Sequence, residues 1–553
     1  MKRFTAIVLV LLCAISSVVF AGGASQPSGT TGKEVLSAPG VLPITREKSY
    51  MNVFIAGDSI SGPDLANNTV FTEFEALTNV HLNMNIAIEE AGEKLNLLLA
   101  SGDYPEVILT GVDQMRYGVQ EGILIPVNDL IEQHAPNAKV FYNRYPWIKE
   151  SMTAPDGNMY GIPGIGGGVD AVSHEKVSYK LWFNTQWLNN LGLSAPTTTE
   201  EFRTVLRAFK TRDPNGNGRA DEIPLSGAKG TWAADPWLFL FNAFGYWDES
   251  LVVLRNGTYT PLANQDYLRD AISYVKSLYD EGLIDPAAFT QTMEQMAVIG
   301  NNPGDIIMGA FTSGHIAMGL DISDVERSKQ YTTLLPLKGP GGYQAIPFAD
   351  TRAYPINPSF SITDKCKNPA LAIKWADAFS TEYWMVRSYL GIKGRDWDYA
   401  DPGTFAGDGV TPARFKQLVN IGYSGGSGNT DRYEGFKILG LERHPGDLTQ
   451  FMGDIYDPVN YLARLTQETV KFQPYAAVRD HIPPLVYDVD ASNRLGQIQP
   501  PIVDYVNTAI VEFITGNRVL NDAAWNTYKQ DLDRLGYPEM VQIMQTAYNK
   551  KYK

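Results

Sequence analysis

Residues 213–222 carry Asp213, Asn215, Asn217, Asp221 and Glu222, spaced by Gly216 and Gly218. Side-chain oxygens fall at relative positions 1, 3, 5 and 9, a glycine at 6 permits a sharp turn, and Arg219 at 7 can offer its main-chain carbonyl. Hard oxygen ligands at alternating positions suit calcium, so Asp213, Asn215, Asn217, Arg219, Asp221 and Glu222 form a candidate ligand set. The loop departs from a complete EF-hand at position 12, where Pro224 replaces the bidentate Glu, and Glu222 at position 10 is the substitute. Asp213, Asp221 and Glu222 have no lysine near them in sequence and would repel one another without an ion. The competing reading is an Asx-rich turn that needs no metal; the extra carboxylate favours calcium. Its role would be structural, because a saturated loop has no open position for a substrate.

Other chemistry-bearing patterns lack partners. Gly57-Asp58-Ser59-Ile60 follows an apolar run and looks like the nucleophile block of GDSL esterases, yet the Asp-x-x-His that would supply the base does not occur in this sequence. Gly422-Tyr423-Ser424-Gly425-Gly426 fits Gly-x-Ser-x-Gly but sits in a glycine run, not on a strand-to-helix elbow. The six histidines (81, 134, 174, 315, 444 and 481) show no zinc spacing. A hydrolase acting through Ser59 or a carboxylate pair is the alternative by class.

Composition bounds the rest. At 553 residues the chain exceeds the ~250–300 residues one core fills, so two lobes are expected. A net charge of −15 argues against a nucleic-acid partner, which needs a basic surface. Aromatic residues make up 11%, and exposed aromatics grip flat apolar ligand faces.

Residues 1–21 read as a signal peptide: Lys2 and Arg3, an apolar run from Ala6 to Ile15, then Val19-Phe20-Ala21 before Gly22. Cys13 lies inside the apolar run, which favours a soluble periplasmic or secreted protein over a lipid-anchored one. Cys366 would then be alone, and no intramolecular disulfide could form. Residues 22–46 read as a flexible leader. Beyond it, strands at 51–56, 80–86 and 107–109 alternate with helices at 69–78 and 90–100, the order of a parallel sheet whose ligand edge lies at the strand C-termini. A Gly-rich stretch, 161–168, is a candidate hinge, and a strand follows at 180–183. Further helices are expected at 197–210, 266–281, 369–381, 413–421, 458–472, 500–515 and 522–550.

Several blocks in fixed order carry a resemblance: 93–108 (EKLNLLLASGDYPEVI), 122–131 (GILIPVNDLI), 156–163 (DGNMYGIP), 187–193 (WLNNLGL), 196–202 (PTTTEEF) leading into the metal loop, 360–369 (FSITDKCKNP), 389–397 (YLGIKGRDW), and the helical ending from 512–516 (EFITG). Together they resemble the extracellular solute-binding proteins of carbohydrate ABC importers, most closely the long subgroup of alginate-oligosaccharide-binding and LipO-type proteins. The resemblance implies an α/β type II periplasmic-binding-protein fold, two lobes with a hinge and a central cleft. It implies capture of an oligosaccharide for a membrane permease with no chemistry performed, a monomer, and a calcium ion bracing the second lobe. The N-terminal lobe would take 47–172 plus 350–390, and the C-terminal lobe 173–349 plus 391–553. A peptide or a small charged solute is the alternative ligand.

Sugars present apolar C–H faces ringed by hydroxyls, so their clefts need aromatic platforms and planar polar partners. The candidates are Trp232, Trp237 and Trp247 after the metal loop, Tyr354 and Trp397 beside the expected crossings, and Ser59, Asp113, Arg352 and Asp396 as polar groups. Trp187, Trp375 and Trp525 sit at helical core spacing and read as packing residues.

Overall fold

A computed structural model describes residues 35–57, 64–88, 90–165, 169, 176–230, 233–348, 358–420, 431–435, 437–441, 443–477, 485 and 487–553. The expected signal peptide, Ser59, Trp232, Arg352, Tyr354 and the 422–426 serine motif lie outside the described residues. The described strands are β1 (Ser49–Ala56), β2 (Val80–Ala87), β3 (Val107–Leu109), β4 (Ile162–Ile165), β5 (Leu181–Asn184), β6 (Val252–Arg255), β7 (Thr258–Pro261), β8 (Ala310–Thr312), β9 (Tyr331–Thr333), β10 (Pro358–Ile362), β11 (Trp397–Tyr399), β12 (Phe415–Gln417) and β13 (Leu439–Gly440).

A six-stranded sheet runs in the order β13-β4-β10-β3-β1-β2. β1 pairs in parallel with β2 and β3, β10 is antiparallel to both β3 and β4, and β13 is parallel to β4. Both faces are covered, as a largely parallel sheet requires. Met51, Val53, Ile55, Val107 and Leu109 enter one apolar cluster, while Phe54 and Ile108 enter another on the opposite face. The helix Thr69–Thr78 packs Val70, Phe71 and Phe74 into the first of these.

The second sheet is three-stranded, β8-β5-β9, with both pairings antiparallel. Leu181 and Phe183 point into a large cluster that includes the C-terminal helices, and Trp182 points to the other side with Phe311, Val386 and Trp397. The helix Thr199–Thr211 begins with a complete capping box between Thr198 and Glu201, which holds its Phe202, Leu206 and Phe209 face on that core.

Strand direction locates the cleft. β1, β2, β3 and β4 all end at one edge of the first sheet, and antiparallel β10 begins there. The chain therefore leaves for the second sheet, and returns from it, at the edge where the parallel strands' carboxyl ends point. In the second sheet, Leu181 at the start of β5, Thr312 at the end of β8 and Thr333 at the end of β9 lie side by side. Both sheets thus offer one edge to the crossings.

Four elements differ from the sequence reading, the first being the helix expected over 500–515, which begins at Val489 and runs through Pro500 and Pro501. Residues 413–421 do not form a helix: 415–417 is β12, paired with β11. The helix expected over 522–550 is two helices, Asp522–Leu535 and Tyr537–Tyr552, broken at Gly536 with φ 94°. β13, which the sequence reading leaves as loop, joins the first sheet beside β4.

Candidate functional site

On the first sheet the cleft edge is formed by Gly57, Ile88 and the turn after β3, where Asp113 is exposed. Asp113 Oδ1 accepts the main-chain N–H of Met115 at 2.9 Å and of Arg116 at 3.1 Å, which starts a short π-helix, Met115–Gln120. This leaves Asp113 at the strand end where the sequence places it, with one oxygen holding the local backbone.

On the second lobe the same edge carries Tyr179, Lys180, Asp235, Glu249 and Ser313. The Tyr179 hydroxyl donates to Glu249 Oε2 at 3.1 Å. Ser313 N–H donates to the Lys180 carbonyl, and the Thr312 hydroxyl donates to the Ala234 carbonyl at 2.6 Å, which ties residues 234–235 to the end of β8. Asp235 precedes the apolar helix Pro236–Phe241, but its side chain makes no cap to that helix. Burial drives its carboxyl up to about 7, against a hydrogen bond from the Gly230 backbone, with Glu249 raising it further. The Glu249 side chain is exposed, and desolvation by the surrounding protein together with Asp248 holds its carboxyl above the usual carboxylate range against the hydrogen bond from Tyr179. The sequence reading missed these groups. A signal was present in Asp235 ahead of an apolar run and in the Asp248-Glu249 doublet, but nothing in sequence connects them to Tyr179.

The aromatic candidates are placed otherwise than expected. Trp237 and Trp247 are core residues, 4% and 1% exposed, and Trp237 stacks on Phe289 at 5.8 Å. Trp397 is completely buried, with its Nε1 donating to the Gly391 carbonyl at 2.9 Å and its ring edge-on to Phe415. None of the three offers a ring face to a solute in this structure. A loop position in sequence says nothing about whether a long-range cluster closes over the ring, and here it does. Asp396 is also buried: its carboxylate accepts the Ile392 N–H at 2.8 Å and binds Arg395. Burial opposes its ionisation, but those bonds hold its carboxyl below the ordinary value. Asp396 braces the turn at Gly391, where a Cβ would approach Asp396 Oδ2 to 2.3 Å.

The metal loop forms as a tight turn between the helix Thr199–Thr211 and the second sheet. Asp213 has φ 47°, and Gly216 and Gly218 also have positive φ. Asp213 accepts the N–H groups of Asn217 and Gly218 at 3.0 and 2.9 Å, and Asn217 Oδ1 accepts that of Arg219 at 2.8 Å. The amides of Asn215 and Asn217 turn toward Asp221 at 3.4 and 3.2 Å. The sequence reading treated Arg219 only as a carbonyl donor. Its guanidinium pairs with Asp221 at 3.1 Å and with Asp305 at 2.9 Å, relieving part of the repulsion among the carboxylates. Glu222 is not relieved. Its Oε1 is buried with no hydrogen-bond partner, and burial together with Asp213 and Asp221 keeps its carboxyl above the usual range. An orphaned buried acceptor beside two further carboxylates fits a hard cation. As the loop stands, no three His, Cys, Asp or Glu side chains among the described residues are gathered closely enough to hold one.

Two α/β lobes sharing a crossing edge lined with hydroxyl and carboxylate groups define a solute receptor of the two-lobed periplasmic-binding type. The chain belongs to the bacterial extracellular solute-binding protein family, which it matches over residues 62–382. It is 29% identical over 562 residues to the fructooligosaccharide ABC transporter substrate-binding protein FusA of Streptococcus pneumoniae serotype 4, covering 98% of this chain and 97% of FusA. The structure of FusA in complex with kestose has a TM-score of 0.76 and 26% identity, covering 91% of this chain and 99% of that one. The same figures hold for an EF-hand mutant of FusA in complex with fructo-nystose. Lipoprotein LipO of Bacillus subtilis is 24% identical over 318 residues, 56% of this chain and 60% of LipO. The alginate-binding protein AlgQ2 without calcium ion shares the fold, with a TM-score of 0.68 and 23% identity over 91% of this chain and 99% of AlgQ2.

Proposed function

We propose that this chain is the substrate-binding component of an ABC importer, capturing an oligosaccharide between its lobes and delivering it to a membrane permease. The observation that carries this reading is the shared edge: both sheets turn strand ends and polar groups toward the crossings, in a chain similar to FusA over nearly its whole length. Tyr179, Asp235, Glu249 and Asp113 accept and donate hydrogen bonds to sugar hydroxyls, with Glu249 and Asp113 the exposed acceptors. Ser59, Trp232, Arg352 and Tyr354 remain part of the proposed ligand set. The protein acts as a monomer exported by its signal peptide without a lipid anchor, and the lobes divide near 165–181 and 349–358, with 431–441 returning to the first.

Calcium is the proposed structural ion. Asp213, Asn215, Asn217, Asp221, Glu222 and the Arg219 carbonyl would hold it, and its charge would satisfy Glu222 and brace the loop between the helix Thr199–Thr211 and the second sheet. The EF-hand altered in the FusA mutant supports this assignment.

The test is calorimetric titration of the purified protein with kestose, nystose and a panel of other oligosaccharides, with and without chelator, and with chromatography of the sugars afterward. Saturable binding with intact sugar is expected. Absence of binding to every member overturns the saccharide reading, and cleaved sugar overturns the pure-binding one.

A further inference from the structure

A groove of about 650 Å³ opens on the second lobe between the start of the helix Thr199–Thr211, the helix Asp266–Asp280 and the segment 338–340. None of the described residues lining it precedes Thr198 or follows Pro340, and none is among the groups placed at the crossing edge. Its walls are tied together. Thr199 N–H donates to the Lys338 carbonyl at 3.1 Å and Lys338 N–H to the Thr197 carbonyl at 2.8 Å, while the Tyr274 hydroxyl donates to the Thr199 carbonyl at 2.6 Å. A Cβ on Gly339 would come within 2.0 Å of the Ala243 carbonyl oxygen, so only glycine lets this segment lie against residues 243 and 244.

The polar groups of the groove are of both kinds. Arg203, 20% exposed, gives one terminal nitrogen to Ser277 Oγ at 2.8 Å and the other to Glu281 at 3.3 Å, and each keeps a second N–H. Its Nε lies 3.7 Å from the Glu200 carboxylate, beyond hydrogen-bond distance, which leaves Glu200 free to accept elsewhere. Lys338, Asp270 and Ser273 are exposed, and their side chains make no hydrogen bond or ion pair among the described residues. The capping box and Lys338 occupy the N–H groups of Thr198, Thr199 and Glu201, so the helix start is no cradle for an anion. Phe244 and Tyr274 form the apolar floor with their rings 5.4 Å apart, and the Arg203 guanidinium sits 5.2 Å from the Tyr274 ring. This set selects a ligand class. A carboxylate suits Arg203 and Lys338 but is repelled by Glu200 and Asp270, and an ammonium meets the reverse. A hydroxyl both accepts and donates, so a sugar satisfies all four while its C–H face lies on Phe244.

We propose that this groove is a second saccharide site, separate from the crossing edge and confined to one lobe, that takes a neutral mono- or disaccharide unit, a size such a volume holds. Arg203 and Lys338 donate to its oxygens, and Asp270 and Glu200 accept from its hydroxyls. Because the described lining residues all belong to one lobe, occupancy does not depend on the separation of the lobes. The exposed rim of Glu200, Asp270, Ser273 and Lys338 leaves part of the sugar in water, so binding is weak and dissociation fast.

The test is hydrogen-exchange mass spectrometry of wild type and the double variant Asp270→Ala/Lys338→Ala with maltotriose, kestose, trigalacturonate and diglycine, each at about 50 mM, above the millimolar range of an open site. A neutral saccharide should slow exchange over 198–203 and 336–343 in wild type by about two- to tenfold, and the variant should lose that protection. Both replaced side chains are exposed, so the variant keeps the fold. Sugars excluded from the surface stabilise proteins in general, and comparison with the variant removes that effect. Protection by trigalacturonate or diglycine and by neither neutral sugar overturns the saccharide class. Protection by no probe, or equal protection in wild type and variant, overturns the site. Calorimetry reads tight binding separately: if it shows none while the groove is protected, the importer reading falls and this site stands, and the reverse result removes the site alone.

Discussion

Replacing Asp235 by Asn should stabilise the protein at neutral pH and weaken its grip on solute. The carboxyl is 8% exposed and is held at about 7 instead of 3.8. Below 3.8 the group is protonated in both folded and unfolded chains and costs nothing. Between 3.8 and about 7 the unfolded chain ionises while the folded one keeps its proton, so stability falls as pH rises. Above about 7 the full penalty is present, roughly 4 kcal/mol at 1.36 kcal/mol per tenfold change in proton affinity. Asn removes the titration while keeping the shape and the acceptor for the Gly230 N–H. The advantage of the variant over wild type should therefore widen by about 2 kcal/mol between pH 5.5 and pH 8. With ~2.1 cal/mol/K of unfolding entropy per residue, that is a relative gain of about 2 °C in Tm for a chain of this size unfolding as one unit. Thermal melts at the two pH values, followed by urea titration, measure it. At pH 8 the affinity for an oligosaccharide that the panel shows to bind should fall by about tenfold, the weight of one charge-assisted hydrogen bond. A Tm gap that is constant with pH, or that favours wild type more at pH 8, refutes the argument that this buried acid is tolerated at the expense of stability.

Chelation should lower Tm in wild type, while Glu222→Gln, which removes the charge of the orphaned carboxylate, should have the lower Tm in calcium and respond less to chelator; equal chelator responses would count against Glu222 as a ligand. Tyr179→Phe deletes the hydroxyl that orients Glu249 and should weaken kestose binding about three- to tenfold with little change in Tm, read by calorimetry. Trp247→Phe should leave affinity within twofold and cost about 1–3 kcal/mol of stability by urea titration, since its ring packs on Phe241; a tenfold loss of affinity would mean that the ring reaches the solute after all. Arg387 is fully buried and binds both oxygens of Glu73, the Thr69 hydroxyl and the Asp431 carbonyl, so Arg387→Ala should cost about 3 kcal/mol; a cost under 1 kcal/mol would show that this tie is dispensable.

The parts of the fold legible in sequence are those fixed by short-range chemistry. Thr69–Thr78 is a helix over the bounds its periodicity predicts, and Thr198 with Glu201 makes the capping box that the Thr-Thr-Glu-Glu run announces. The spacing of Asp213, Asn217 and the glycines sets a tight turn closed by the Asp213 and Asn217 side chains on local N–H groups. The failures differ in cause. Residues 413–421 have helical spacing, but a partner strand at 397–399 captures 415–417 through the register Trp397↔Gln417. The helix expected over 522–550 breaks at Gly536, whose left-handed backbone caps Asp522–Leu535 and whose neighbour Pro538 opens Tyr537–Tyr552, a local signal that the expected helix ignores.

Sequence alone determined the α/β alternation, the Asp/Asn-rich turn at 213–222 and the blocks that mark the family, because each depends on residues within a few positions of one another. Tertiary structure decided which aromatics face solvent and which polar groups share a wall. Trp237, Trp247 and Trp397 are enclosed by side chains from distant segments, while Tyr179 meets Glu249 across 70 positions of sequence. It also decided that β13 returns to lie beside β4 and that the last helices reach the first lobe. Burial, and with it the proton affinity of Asp235 and the packing of the tryptophans, is a sum over neighbours from the whole chain, and no local pattern contains that sum.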